Sequence, residues 1–120
     1  MGKENIETIL FNWLKTKAGD YELTADLPKG ERPDRFITMD RQSGGRHDMV
    51  LDRATMVVEI YNRDSRLEAS EKANEIADSV RELLKIDNVT HAEVNSITHL
   101  DDLIGEYHRY QVYLNIYHRR

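Results

Sequence analysis

The chain contains no cysteine, which removes disulfide scaffolds, zinc ribbons and thiol nucleophiles from consideration. It also lacks any apolar run approaching the ~20 residues needed to cross a bilayer. Met1-Gly-Lys-Glu-Asn5 leads directly into an amphipathic pattern, so no signal peptide is expected. Proline occurs only twice, at Pro28 and Pro33, and with Gly30 it places one loop at 28–34. What the chain does have is 120 residues, 39% of them hydrophobic and 32% charged. That suits one soluble domain spanning 1–120, with too little material for two cores. The apolar residues fall in periodic groups, which argues against disorder.

The net charge of −5 is unevenly placed. Residues 64–106 hold Arg66, Lys72, Arg81 and Lys85 against eleven acids, whereas 107–120 carry Arg109, Arg119 and Arg120 and no acid. An acidic bulk with one basic strand argues against general nucleic-acid binding, which needs many phosphate-neutralising cations. It suits contact between copies, where an acidic face of one meets a basic face of the next.

Periodicity predicts the elements. Ile6, Ile9, Leu10, Trp13 and Leu14 repeat at helical spacing, giving a helix over 3–17 with Gly19 as its stop. Tyr21–Leu27 alternates weakly, as a short edge strand can. Phe36–Gln42 reads as a strand, Ser43-Gly44-Gly45 as a turn, and 43–51 as a long hairpin loop. In 52–62, Ala54, Met56, Val58 and Ile60 share one face; Thr55, Val57, Glu59 and Tyr61 share the other. Ser65-Arg-Leu-Glu68 is a capping-box sequence opening a helix over about 66–86. Its buried stripe is Ala69, Ala73, Ile76, Ala77, Val80, Leu83 and Leu84, with Glu68 and Lys72 paired on the wet side. Strands follow at Val89 to about Thr98 and at Tyr107–Arg119, separated by the acidic loop Leu100–Gly105. The last strand sets Tyr110, Val112, Leu114 and Ile116 against Gln111, Tyr113, Asn115 and Tyr117. The expected fold is therefore α+β, in the order α-β-β-α-β-β: a mainly antiparallel sheet of about four strands with both helices on one face.

Met39-Asp-Arg-Gln-Ser-Gly-Gly-Arg46, Asp52-Arg-Ala-Thr-Met-Val-Val-Glu-Ile60, Ala77-Asp-Ser-Val-Arg-Glu-Leu-Leu84 and Arg109-Tyr-Gln-Val-Tyr-Leu-Asn-Ile116 follow one another in this order. Together they resemble the tail terminators of long, non-contractile-tailed phages and the related tail-completion and head–tail connector proteins. The likeness covers roughly 34–118. The segment Leu100–Gly105 departs from it, because relatives carry a glycine- and proline-rich turn there. The resemblance implies a structural phage or prophage protein of the virion tail, assembled in the host cytoplasm. It implies a hexameric ring that caps the tail tube, ends tail polymerisation and joins tail to head. The implied partners are further copies of the chain, the tail tube protein and the connector, with genome DNA passing through unbound. It implies no cofactor, metal, membrane or catalysis. A head–tail connector or another tail-completion protein is the nearest alternative.

Such a ring needs two different patches meeting head to tail. The candidate subunit or tube interface is Val57, Tyr61, Tyr113 and Tyr117 on the second sheet face, with Arg46, His47 and Met49 on the loop. Asp101, Asp102 and Glu106 are candidate channel-facing acids. Two rival chemistries are visible. His99, Asp101 and Asp102, with His91 and Glu93, make an acid/base or metal set. Tyr107, Tyr110, Tyr113 and Tyr117 among Arg109, Arg119, His108 and His118 make a stacking platform for single strands.

Overall fold

The computed structural model describes residues 5–27, 30, 32–46, 51–100 and 106–119, with backbone alone for 43–46. The elements run α1 (Ile6–Lys15), β1 (Glu22–Thr24), β2 (Arg35–Arg46), β3 (Leu51–Asn62), α2 (Arg66–Asp78), a 3₁₀ helix (Val80–Lys85), β4 (Val89–Leu100) and β5 (His108–Arg119). The five strands form one mixed sheet in the order β1-β2-β3-β5-β4. The α+β class holds, but the expected four antiparallel strands and the order α-β-β-α-β-β do not. The weakly alternating stretch after α1 supplies a fifth strand, and β1 lies parallel to β2, pairing Glu22 with Phe36 and Thr24 with Thr38. The short edge strand read at Tyr21–Leu27 is thus present as Glu22–Thr24; three residues carry no signal for its direction, which the neighbouring edge of β2 settles.

Local signals place both helices. The Asn5 side chain accepts the Thr8 N–H at 2.9 Å and opens α1. After its last turn the chain reverses at Gly19, whose φ of +61° is the left-handed region glycine tolerates. Ser65 caps α2 by accepting the Glu68 N–H, but the box is only half closed. Glu68 turns away to Arg35, at 2.5 Å, and Lys72 pairs with Glu75 at 3.1 Å, so the expected Glu68–Lys72 pair does not form. Buried Asn62 completes the entry instead, its Oδ1 accepting the N–H groups of Asp64 and Ser65.

The predicted helix over 66–86 is two pieces. α2 ends at Asp78 and a 3₁₀ helix follows. At three residues per turn, Val80 and Leu83 stack on the sheet while Leu84 rotates outward to 44% exposure, against its predicted place in the buried stripe. The loop expected at 43–51 is also shorter. β2 continues to Arg46 and β3 starts at Leu51, with Gly44 and Gly45 paired to Ala54 and Arg53 and one register shift between Arg41 and Ser43. β4 likewise runs to Leu100, two residues past the predicted end.

The main core lies between the helices and one sheet face. Ile6, Leu10 and Leu14 of α1 and Ala73 and Ile76 of α2 meet Met56, Val58, Ile60, Val112, Leu114 and Ile116. The alternation read from β3 and β5 is thus the alternation observed, and both helices cover the same face. The Lys17 ammonium bonds Glu82 at 2.7 Å, and Trp13 Nε1 donates to the same carboxylate at 3.4 Å, joining α1 to the 3₁₀ helix.

Candidate subunit interface

No described helix covers the opposite sheet face, yet its upper half is closed. Phe36 of β2 stacks on Tyr61 of β3, ring centres 4.4 Å apart, and Tyr107 meets both edge-on. The Tyr107 hydroxyl donates to the Pro33 carbonyl at 2.6 Å and accepts from Arg63 Nη2 at 2.8 Å. Register explains the neighbours, because Tyr61 lies beside Phe36 on one side and Arg109 on the other. The Arg109 guanidinium sits over the Tyr61 ring and grips Glu59 with two hydrogen bonds, at 2.9 and 3.1 Å. Gln111 Nε2 and the Tyr61 hydroxyl donate to the same carboxylate. Burial is the largest influence on Glu59 and opposes its charge. The hydrogen bonds from Arg109, Tyr61 and Gln111, with the attraction of Arg109, outweigh it and hold the carboxyl below its ordinary value.

The lower half is different. Thr55 donates to Asn115 and Asn115 to Asn95, a polar chain across three strands with Tyr113 and Tyr117 half-exposed beside it. Tyr117 leans on His91, ring centres 5.6 Å apart, and with Leu51 and Thr90 they line a shallow depression.

The residues singled out from the sequence therefore separate. Val57 and Tyr61 do lie on this face but are covered within their own chain, at 2% and 6% exposure. Tyr113 and Tyr117 are its accessible aromatics. Arg46 is the last residue of β2; His47 and Met49 lie outside the described residues, as do Asp101 and Asp102. Glu106 pairs with Arg63 at 3.1 Å beside Tyr107. The enzyme set divides across the sheet: His91 and Glu93 share the open face at 3.3 Å, whereas His99 stacks on Tyr110 on the other side. Among the described residues no group of three or more metal-ligating side chains forms. The stacking platform divides too, since Tyr110 is buried in the main core and Tyr107 in the small aromatic cluster.

Sequence reasoning missed the Glu59–Arg109 pair and the place of Phe36 in the aromatic cluster. A signal existed: Phe36 sits out of phase with Ile37 and Met39, and Glu59 and Arg109 carry opposite charges on strands predicted to present one polar face. Among the described residues the second face offers no cleft gathering acids and bases; it offers a flat polar–aromatic surface. No known protein-family model matches the chain, and no curated protein matches it.

Proposed function

We propose that this chain is a structural subunit of a phage tail, closing into a ring that caps the tail tube, ends its growth and joins tail to head. The observation that carries this reading is the asymmetry of the sheet. One face is sealed by two helices; the other has none among the described residues and presents Tyr113, Tyr117, Thr55, Asn115 and His91 as a broad, half-exposed surface. A flat surface with large amphipathic side chains suits contact with another protein better than capture of a small molecule. The segregation of charge along the chain adds to this, because head-to-tail rings join unlike patches. In this reading Tyr113 and Tyr117 contact a neighbour or the tube, and genome DNA crosses the ring without specific binding.

Light scattering on the purified protein, followed by imaging of any particles, tests the proposal. A closed sixfold ring that stops polymerisation of a purified tail tube protein supports it. A twelvefold ring reassigns the chain to a connector. A monomer that neither assembles nor affects tube growth overturns the reading.

A further inference from the structure

We propose that the outer edge of β4 joins a second copy of this chain. The two β4 strands pair antiparallel about a two-fold axis between Asn95 and Ser96, joining two five-stranded sheets into one. The pairing goes beyond the ring reading and does not rest on it. It uses the edge and the helix side of the sheet and leaves Tyr113 and Tyr117 half-exposed on the other face.

β4 is a twelve-residue strand, and among the described residues no other strand pairs with its outer side. It contains no lysine, arginine or proline, the residues that commonly block edge pairing. The exposed apolar surface also gathers beside it. Of the four large apolar side chains exposed among the described residues, Leu67, Leu84 and Ile97 lie on this side. Leu84 borders Val89 and Thr90 at the lower end of β4. Leu67 stands at the upper end, next to Arg66, which reaches the Tyr110 hydroxyl. Glu68 and Lys72 point to Arg35 and Lys17 on the α1 side. At roughly 3.6 residues per turn, Leu67 and Ser70 therefore occupy the opposite flank of α2, towards β4.

Half-coverage of the strand names a second copy as its occupant. The 3₁₀ helix packs over the lower half of β4, where Val89 and Ala92 are each 7% exposed. The upper half is open: residues 95–99 are all exposed, Ile97 at 37%. A two-fold operation exchanges the halves, so the 3₁₀ helix of each copy comes level with the open half of the other. Leu84 of one copy then stands level with Leu67 of the other, and Val94 lies beside Ile97. A bare foreign strand would bring no such layer.

The strand also matches itself. A register shift between Val94 and Ser96 changes the phase of alternation at the axis. Ala92 and Val94 below it, and Ile97 and His99 above it, all lie on the helix side, paired with Ile116, Leu114, Val112 and Tyr110. One antiparallel register therefore keeps like faces together over residues 91–100. It opposes Val94 to Ile97, Ala92 to His99, Glu93 to Thr98 and His91 to Leu100, each pair occurring twice. Val94 and Ile97 give the centre an apolar contact on the helix side. No like charges oppose each other, since Glu93 is the one carboxylate in β4 and bonds His91 of its own chain.

The chain has no cysteine of its own, so introduced ones report the pairing. Along one strand, positions 93 and 98 lie about 16 Å apart, too far for a disulfide. Across the axis they oppose each other, with Cβ atoms about 5 Å apart. An equimolar mixture of Glu93→Cys and Thr98→Cys should oxidise to a covalent dimer, and neither variant alone should crosslink. The double variant should stop at a dimer closed by two bridges. Crosslinking of a single variant, or a ladder beyond the dimer, would overturn the pairing. Ile97→Lys adds a blocking charge at an exposed position and should halve the mass seen by light scattering; an unchanged mass counts against the proposal. Rings imaged without crosslinking would overturn it and leave the ring reading standing, whereas covalent dimers that never close into rings would do the reverse. Should the variants misfold, hydrogen exchange on the unaltered chain decides. Amides of residues 91–100 should slow as concentration rises, and rates independent of concentration overturn the pairing.

Discussion

The two faces of this sheet are buried by different physics. The helix side is a continuous apolar core in which Met56, Val58, Ile60, Leu114 and Ile116 are essentially inaccessible beneath α1 and α2. The other side closes only around Phe36, Tyr61 and Tyr107, and there arginine planes and a carboxylate do what a helix layer does opposite. Apolar burial is additive and indifferent to direction. A charged aromatic lattice depends on each partner, since removing one strands the others. The comparison separates a face that determines whether the chain folds from one that determines the surface it shows.

Mutations should keep that separation, in order of effect. Leu114→Ala or Ile76→Ala in the main core should cost about 2–5 kcal/mol in denaturant unfolding. A loss below about 1 kcal/mol would mean the helices are only loosely seated. Arg109→Met on the open face should cost about 2 kcal/mol, because Glu59 then keeps a half-buried charge with fewer donors. In a double-mutant cycle the second change, Glu59→Gln, should recover part of that loss; strict additivity would deny the coupling. Tyr107→Phe deletes the hydroxyl shared by Pro33 and Arg63 and should cost about 1 kcal/mol by thermal denaturation.

The smallest effects are those of pH. Glu59 has a lowered carboxyl pKa in the folded chain, so the unfolded chain binds more protons in acid. Its contribution should be complete above about pH 4.5 and decline as the pH falls towards the folded value. Glu59→Gln should flatten that part of the stability profile. On the helix side, burial chiefly, with repulsion from Arg41, lowers the His118 pKa against the pull of Asp52 and a backbone hydrogen bond at Arg119. Its stabilising effect should be full above about pH 6.5 and weaken below it, and His118→Gln should remove that earlier decline.

Much of this was legible before any coordinates. The face assignment of β3 and β5 needs only a period of two, and the stripe of α1 only a period of 3.6. The Ser65 cap and the Gly19 reversal are local choices that the chain makes from its own backbone preferences. The candidate interface was half legible. Tyr113 and Tyr117 stand on the open face where alternation puts them, whereas Tyr61 and Val57 are hidden by side chains from other strands, which no single segment can foretell.

Sequence alone therefore determined the α+β class, the residues each long strand turns inward, and the helices that cover them. Those follow from short-range periodicity and from the free energy of removing apolar side chains from water. Tertiary structure decided that Glu22–Thr24 is a parallel strand, that the second helix tightens after Asp78, and that Glu68 answers Arg35 rather than Lys72. Each of these depends on a partner distant in the chain, whose position exists only once the sheet has assembled.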